Sequence, residues 1–170
     1  ETARWIFRGL GDRDFRLRPK IGRGPFADGK RERLAFENFK RRARQFHSGV
    51  GFDDWDWLAL AQHHGLPTRL MDWSTNPLVA AYFAVTSPPG ADPEPPCRPR
   101  LASQTAACVH AVKAPPLVDR RREPDPFACA EVRAVMPGAI APRIVAQQGL
   151  FTIHPRPTET YPPQEALRQR

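Results

Sequence analysis

Apolar and polar positions change period along this chain, and the changes predict its elements. Trp5-Ile6-Phe7 is a short apolar run ending at Arg8-Gly9, the pattern of a buried strand. The segment from Gly11 to Gly29 holds four glycines and two prolines and reads as a loop. Phe36, Phe39, Ala43 and Phe46 then recur at spacings of 3, 4 and 3, which sets them on one face of a helix over 31–46. Gly49 and Gly51 close that helix. Asp53 or Asp54 stands where it can cap a second helix, which passes Trp57 and Leu58 and ends at His64. Gly65 supplies a left-handed exit there, and Pro67 follows. Thr68 to Met71 should be extended. Asn76-Pro77 is an N-cap with proline at the first helical position, opening a third helix over 78–85. Its alanines Ala80, Ala81 and Ala84 permit close packing. Further strand candidates lie at 107–112, 132–135 and 150–153.

Helices crowd the front of this order and strands the back, with one strand at the start. The pattern favours an α+β fold: a small mixed or antiparallel sheet with three helices mainly in the N-terminal half. Four of the 20 prolines precede Ser87 and 16 follow it, so the second half should be rich in irregular connections. Pro-rich insertions are expected at about 88–99 and 115–126, inside one domain over 1–155, with a poorly ordered tail over 156–170. No apolar run approaches the ~18 residues of a membrane span. The start, Glu1-Thr2-Ala3-Arg4-Trp5, has no signal-peptide pattern and reads as a domain taken from a longer protein. Cys97, Cys108 and Cys129 form no C-x-x-C pair, which argues against a zinc site or a disulfide framework. Reduced cysteines in a cytoplasmic protein are the simplest expectation.

Charge is unevenly placed. Residues 1–50 hold 14 Lys and Arg against 6 Asp and Glu, whereas residues 51–170 hold 12 of each, so the first 50 residues carry the whole net charge of +8. An arginine-rich region attracts phosphate by steering and by bidentate hydrogen bonds, so nucleic acid or a protein partner is one expectation for this region. A solvated helix face is the plain alternative. No RGG or aromatic-interleaved repeat strengthens the nucleic-acid reading.

The densest chemistry lies in Gln62-His63-His64-Gly65-Leu66-Pro67-Thr68-Arg69-Leu70-Met71-Asp72-Trp73-Ser74. Two imidazoles, an amide, two hydroxyls, an arginine and a carboxylate around one helix exit suit a hydrogen-bonded pocket. Each residue also has a structural reading. His63 and His64 can cap a helix end; they lie about 100° apart, so both should not face one site, and His64 is the candidate. Asp72 can bond turn amides, or neutralise Arg69 or Arg8. Trp73 can plug the core or stack on a ring. Thr68 and Ser74 can cap backbone. Arg8 can pair with Asp12 or Asp14. A metal would need ligands beyond His64, and His47, His110 and His154 are distant, so none is expected. No paired-carboxylate motif supports a nuclease, and no G-x-S-x-G surrounds Ser74.

Together these pieces resemble the FRG domain family. Phe7-Arg8-Gly9 matches the tripeptide that gives the family its name, and the block from Gln62 to Ser74, continued through Asn76-Pro77 and Ala81-Tyr82-Phe83-Ala84, looks like its central motif. Arg143, Gln147, Gly149 and Phe151 look like its C-terminal motif. The resemblance runs over about residues 5 to 154 and implies a bacterial or phage-related module. A second resemblance is to ADP-ribosyltransferases, in which an Arg, often with Gly, stands on the first strand, a Ser/Thr pair on a later one and a Glu or Gln on another. Arg8-Gly9, Ser74-Thr75 and Gln147 stand in that order. This second resemblance implies NAD as cofactor, Arg8 holding its pyrophosphate, Ser74 or Thr75 orienting the nicotinamide ribose and Gln147 in the third position. Combined with the polar pocket read from the residues themselves, it places a nucleotide between Arg8 and the segment from His64 to Ser74, with Arg8, Gly9, Thr68, Arg69, Asp72 and Trp73 as the candidate binding set and Arg8, His64, Ser74 and Gln147 as the candidates for chemistry. An amide at Gln147 departs from the usual glutamate, and Glu131 is the nearest carboxylate on an expected strand.

Overall fold

Five strands in the order β3-β1-β2-β5-β4, all paired antiparallel, make the sheet of this α+β fold. They are β1 (Trp5–Leu10), β2 (Leu70–Ser74), β3 (Cys108–Lys113), β4 (Arg133–Val135) and β5 (Gly149–Ile153). Three α-helices accompany them: α1 (Gly29–Ala43), α2 (Asp54–His63) and α3 (Pro77–Thr86). The structure, a computed structural model, describes residues 4–23, 29–46, 51–87, 106–138 and 149–161. The expected insertion at 88–99 and the residues Arg143 and Gln147 lie outside them.

Local signals place the helix ends. The Asp53 side chain accepts a hydrogen bond from the Asp56 amide at 2.9 Å and caps α2. Gly65, with φ of 89°, takes the left-handed turn that stops it. Asn76 caps α3 through the Leu78 amide at 2.9 Å, with Pro77 next to it. One element departs from the pattern. Helix α1 closes at Ala43, so Phe46 falls in the turn beyond the helical face and is 90% exposed. Phe36 is buried, and Phe39 and Ala43 pack against the core as expected.

The register divides the core in two. Phe7↔Ser74, Asp72↔Phe151, Leu70↔Ile153 and Val135↔Phe151 put these residues on one face of the sheet, while Met71, Trp73, Leu150, Thr152 and Ala134 lie on the other. Over the first face, Leu70, Val135, Phe151 and Ile153 meet Phe36 of α1 and Trp55, Trp57, Leu58 and Leu60 of α2. Every residue from Trp55 to Ala61 is buried, so α2 is enclosed on all sides rather than laid on the surface. Over the second face, Ile6, Met71, Trp73, Ala134 and Leu150 are covered by Leu17 and Tyr161. Residues 156–161, the first part of the expected tail, return to the domain: the Tyr161 amide donates to the Leu17 carbonyl at 2.8 Å.

Helix α3 lies against β1 because Gly9 has no side chain. A Cβ there would stand 1.8 Å from the Ala80 carbonyl oxygen and 2.6 Å from the Ala84 nitrogen, both backbone atoms. This contact seats α3 on β1, with the flanking strands β3 and β2 to either side.

Candidate functional site

A cleft of about 380 Å³ opens between the end of α2, the helix α3 and the central strands. Strands β1 and β2 pair at Phe7↔Ser74. Beside that pair the Arg8 guanidinium spans the two strands, and its Nη1 donates to the Asp72 main-chain carbonyl at 2.6 Å. The same nitrogen stands 3.5 Å from the Asp72 carboxylate. Phe7, Phe83 and Phe151 give the cleft apolar walls, and Arg8, Gln62, His63, Asp72 and Ser74 give it polar ones.

The carboxylate is set by a short chain of hydrogen bonds. Gln62 Nε2 donates to Asp72 Oδ1 at 2.7 Å. The Thr68 hydroxyl donates to Gln62 Oε1 and itself accepts from the Leu70 amide at 3.1 Å. Thr68 is buried, Gln62 partly buried, and the Asp72 side chain 62% exposed, so the chain runs from the core out to the cleft.

Behind Arg8 the environment is different. His110, opposite it on β3, and the buried His154 both have their pKa lowered, first by burial and then by the charge of Arg8, His154 to about 4. His154 Nε2 stands 2.7 Å from the Thr152 hydroxyl, which accepts from the Trp73 indole at 2.8 Å. Arg8 therefore has a carboxylate partner on the cleft side and, on the other, two imidazoles whose protonation is disfavoured by burial and by its own charge.

The family model for the FRG domain matches residues 3–92, the stretch from β1 through α3 that builds most of this cleft. The chain belongs to the FRG domain family. No curated protein and no solved structure matches it.

Within the FRG domain, the residues singled out from sequence divide sharply. Arg8, Gly9, Asp72, Trp73 and Ser74 line the cleft. Gly9 contributes a bare backbone, its missing side chain having been taken up by α3. The Trp73 residue is 3% exposed and belongs to the reverse-face core, where its ring meets Tyr161 edge-on, so it is a core plug rather than a stacking platform. Ser74 is buried, and its hydroxyl accepts from the Asn76 amide at 3.0 Å.

Thr68, Arg69 and His64 are not among the cleft residues. Arg69 is 7% exposed and bound to Glu32 of α1, which it meets through Nε at 3.0 Å, Nη2 at 2.8 Å and its own amide at 2.8 Å. Its guanidinium also lies 4.9 Å from the Phe127 ring centroid. His64 is the C-cap of α2, turned toward Phe39, and it is His63 that lines the cleft. One residue of helix rotation, about 100°, separates the two. Gln147 lies outside the described residues. Glu131 pairs with Arg133 of β4, at the sheet edge, at 3.0 Å.

Sequence reasoning passed over Gln62, His63, Phe83 and Phe151 as site residues. Phe83 was findable, since Val79, Ala80, Phe83 and Ser87 fall at helical spacing and all line the cleft. Phe151 was not, because it depends on β5 lying beside β2. Among the described residues no cluster of His, Cys, Asp and Glu could hold a metal ion, and no helix is long and apolar enough to cross a membrane.

Proposed function

We propose that the cleft of this FRG domain binds a nucleotide such as NAD, and that ADP-ribosyltransferase-like chemistry is the activity to seek there. The observation that carries the reading is the Arg8–Asp72 pair, two charged groups held at the wall of an aromatic-lined cleft instead of being consumed in the core. The cleft volume of about 380 Å³ falls within the range of small-molecule sites. Phe7 and Phe83, both partly exposed, suit the face of a base or nicotinamide ring. The Arg8 side chain keeps 20% of its surface exposed, and its planar fork suits a phosphate oxygen. NAD would supply an activated ribosyl group; the protein's part is to hold the rings against the phenylalanines, anchor the phosphates at Arg8 and keep water from the interior of the cleft.

A thermal-shift assay with NAD, ADP-ribose and a short RNA, wild type beside Arg8→Ala, tests this. NAD or ADP-ribose should raise the Tm of the wild type, and Arg8→Ala should abolish the shift. No shift at millimolar nucleotide overturns the reading.

The second reading, a non-catalytic module for nucleic acid or protein, draws on Arg41, Arg42 and Arg44, which stand exposed at and just beyond the end of α1. Other cations of the first 50 residues are engaged locally: Arg8 with Asp72, Arg33 with Asp125, Lys40 with Asp54, and Lys20 with the Gly65 carbonyl. Stabilisation by RNA alone, falling steeply with salt, would support this module.

A further inference from the structure

We infer that Asp72 is the group that reads the ligand's ribose, accepting hydrogen bonds from its two adjacent hydroxyls, and that Gln62 and Thr68 are positioning residues for it. The inference rests on the nucleotide reading above and deepens it.

A carboxylate on a central strand between two helices would ordinarily be buried and paired, yet the Asp72 side chain is 62% exposed. Its acceptors are only partly used among the described residues. Oδ1 takes one hydrogen bond, from Gln62 at 2.7 Å, and Oδ2 one long contact, from Arg8 at 3.5 Å. An ionised carboxylate offers about four acceptor sites, so capacity remains on the cleft side.

That capacity is oriented. An amide side chain can be turned either way round, but Thr68 donates to Gln62 Oε1 and so leaves Nε2 facing Asp72. Thr68 is itself pinned through the Leu70 amide at the start of β2. A surface aspartate needs no such support. The arrangement has the logic of a binding group fixed by a buried shell.

The chemistry of the occupant follows from the sign. A carboxylate only accepts, so the atoms that meet it must donate. Phosphate oxygens are excluded from this spot, and any phosphate belongs on the far side of Arg8. A vicinal diol fits, because two adjacent hydroxyls can donate to the two oxygens of one carboxylate, the mode by which acidic residues recognise ribose elsewhere. Phe83, partly exposed in the same cleft, gives an apolar wall where the attached base would lie. A guanidinium or amine also donates, and it is the competing occupant.

Isothermal titration with AMP, 2′-deoxy-AMP, 2′,3′-dideoxy-AMP and agmatine separates these cases. Wild type should bind AMP at least about tenfold more tightly than dideoxy-AMP, with the 2′-deoxy compound between them, which is ~1.4 kcal/mol of discrimination. Asp72→Asn should bind AMP and dideoxy-AMP alike. Thr68→Val, which leaves the carboxylate in place but frees the Gln62 amide, should lose part of the preference. Equal affinity of wild type for AMP and dideoxy-AMP, or a preference that survives in Asp72→Asn, overturns the inference while leaving the nucleotide cleft standing. Binding of agmatine in place of AMP overturns it in favour of a cationic ligand. Absence of AMP and dideoxy-AMP binding alike overturns the nucleotide reading itself.

Discussion

Arg69–Glu32 and Arg8–Asp72 are both arginine–carboxylate pairs, and Arg69 and Asp72 lie in the same polar motif. Their settings are opposite. Glu32 is fully buried with its Arg69 partner 9% exposed at the side chain, and three hydrogen bonds join them. Asp72 is mostly exposed, and Arg8 meets its carboxylate at only 3.5 Å while spending its short bond on the main chain. The first pair locks α1 to the start of β2. The second stands at a cleft wall, with acceptor capacity left on the Asp72 carboxylate. A run of polar residues around a helix exit is thus two things at once: Thr68 and Arg69 are turned into the scaffold, and Asp72, three residues after Arg69, is turned out to the cleft.

The largest expected effect lies on the buried side. Glu32→Ala leaves the Arg69 guanidinium buried without its partner and should cost about 3–5 kcal/mol in chemical denaturation. Glu32→Leu with Arg69→Met should recover a good part of that loss. A Glu32→Ala protein within 1 kcal/mol of wild type would erase the contrast between the pairs.

Gly9→Val comes next and probes the backbone beside Arg8. Its side chain would enter the space of the Ala80 carbonyl, so α3 must shift. A loss of about 3 kcal/mol or more is expected, read as a fall in Tm, together with loss of any nucleotide response. An unchanged Tm would show that α3 is not seated on β1 as described.

The third effect concerns what lies behind Arg8. His154 has a folded pKa of about 4 against an ordinary value of 6.5. Between those values the unfolded chain binds a proton that the native state refuses. The stability contributed by the neutral imidazole is therefore complete above pH 6.5 and is lost as pH falls toward 4. The expected loss is up to about 3 kcal/mol. His154→Gln should remove that component from the stability–pH profile, and an unchanged profile would contradict it. His110 is lowered by the same causes and should add to the slope in the same direction.

Smallest in stability is the exposed pair. Asp72→Asn should change unfolding free energy by no more than about 1 kcal/mol, the range of solvent-exposed ion pairs. Titration by denaturant checks it, and a loss matching that of Glu32→Ala would move Asp72 from the cleft to the scaffold.

What was legible in the sequence was the local part. Capping by Asp53 and Asn76, the left-handed Gly65 and the α+β order all follow from interactions within a few residues, and the structure has them. The helical face of Phe36, Phe39 and Ala43 was legible too, but periodicity does not say where a helix stops, which is why Phe46 was misplaced. The fate of each polar residue was not legible. Arg69 is withdrawn from the cleft by Glu32, 37 residues away, and Arg8 meets Asp72 across 64. Only the packing of α1 and the sheet order decide which arginine reaches the cleft. The choice between His63 and His64 turned on one residue of rotation at a helix end.

The most direct test sets the two arginines side by side. Arg69→Met and Arg8→Met, unfolded by denaturant with and without ADP-ribose, should fail in different ways. The account predicts that Arg69→Met is severely destabilised, whereas Arg8→Met keeps most of its stability and loses the stabilisation by ADP-ribose. An Arg8→Met protein that still gains stability from ADP-ribose, or one as unstable as Arg69→Met, would contradict it.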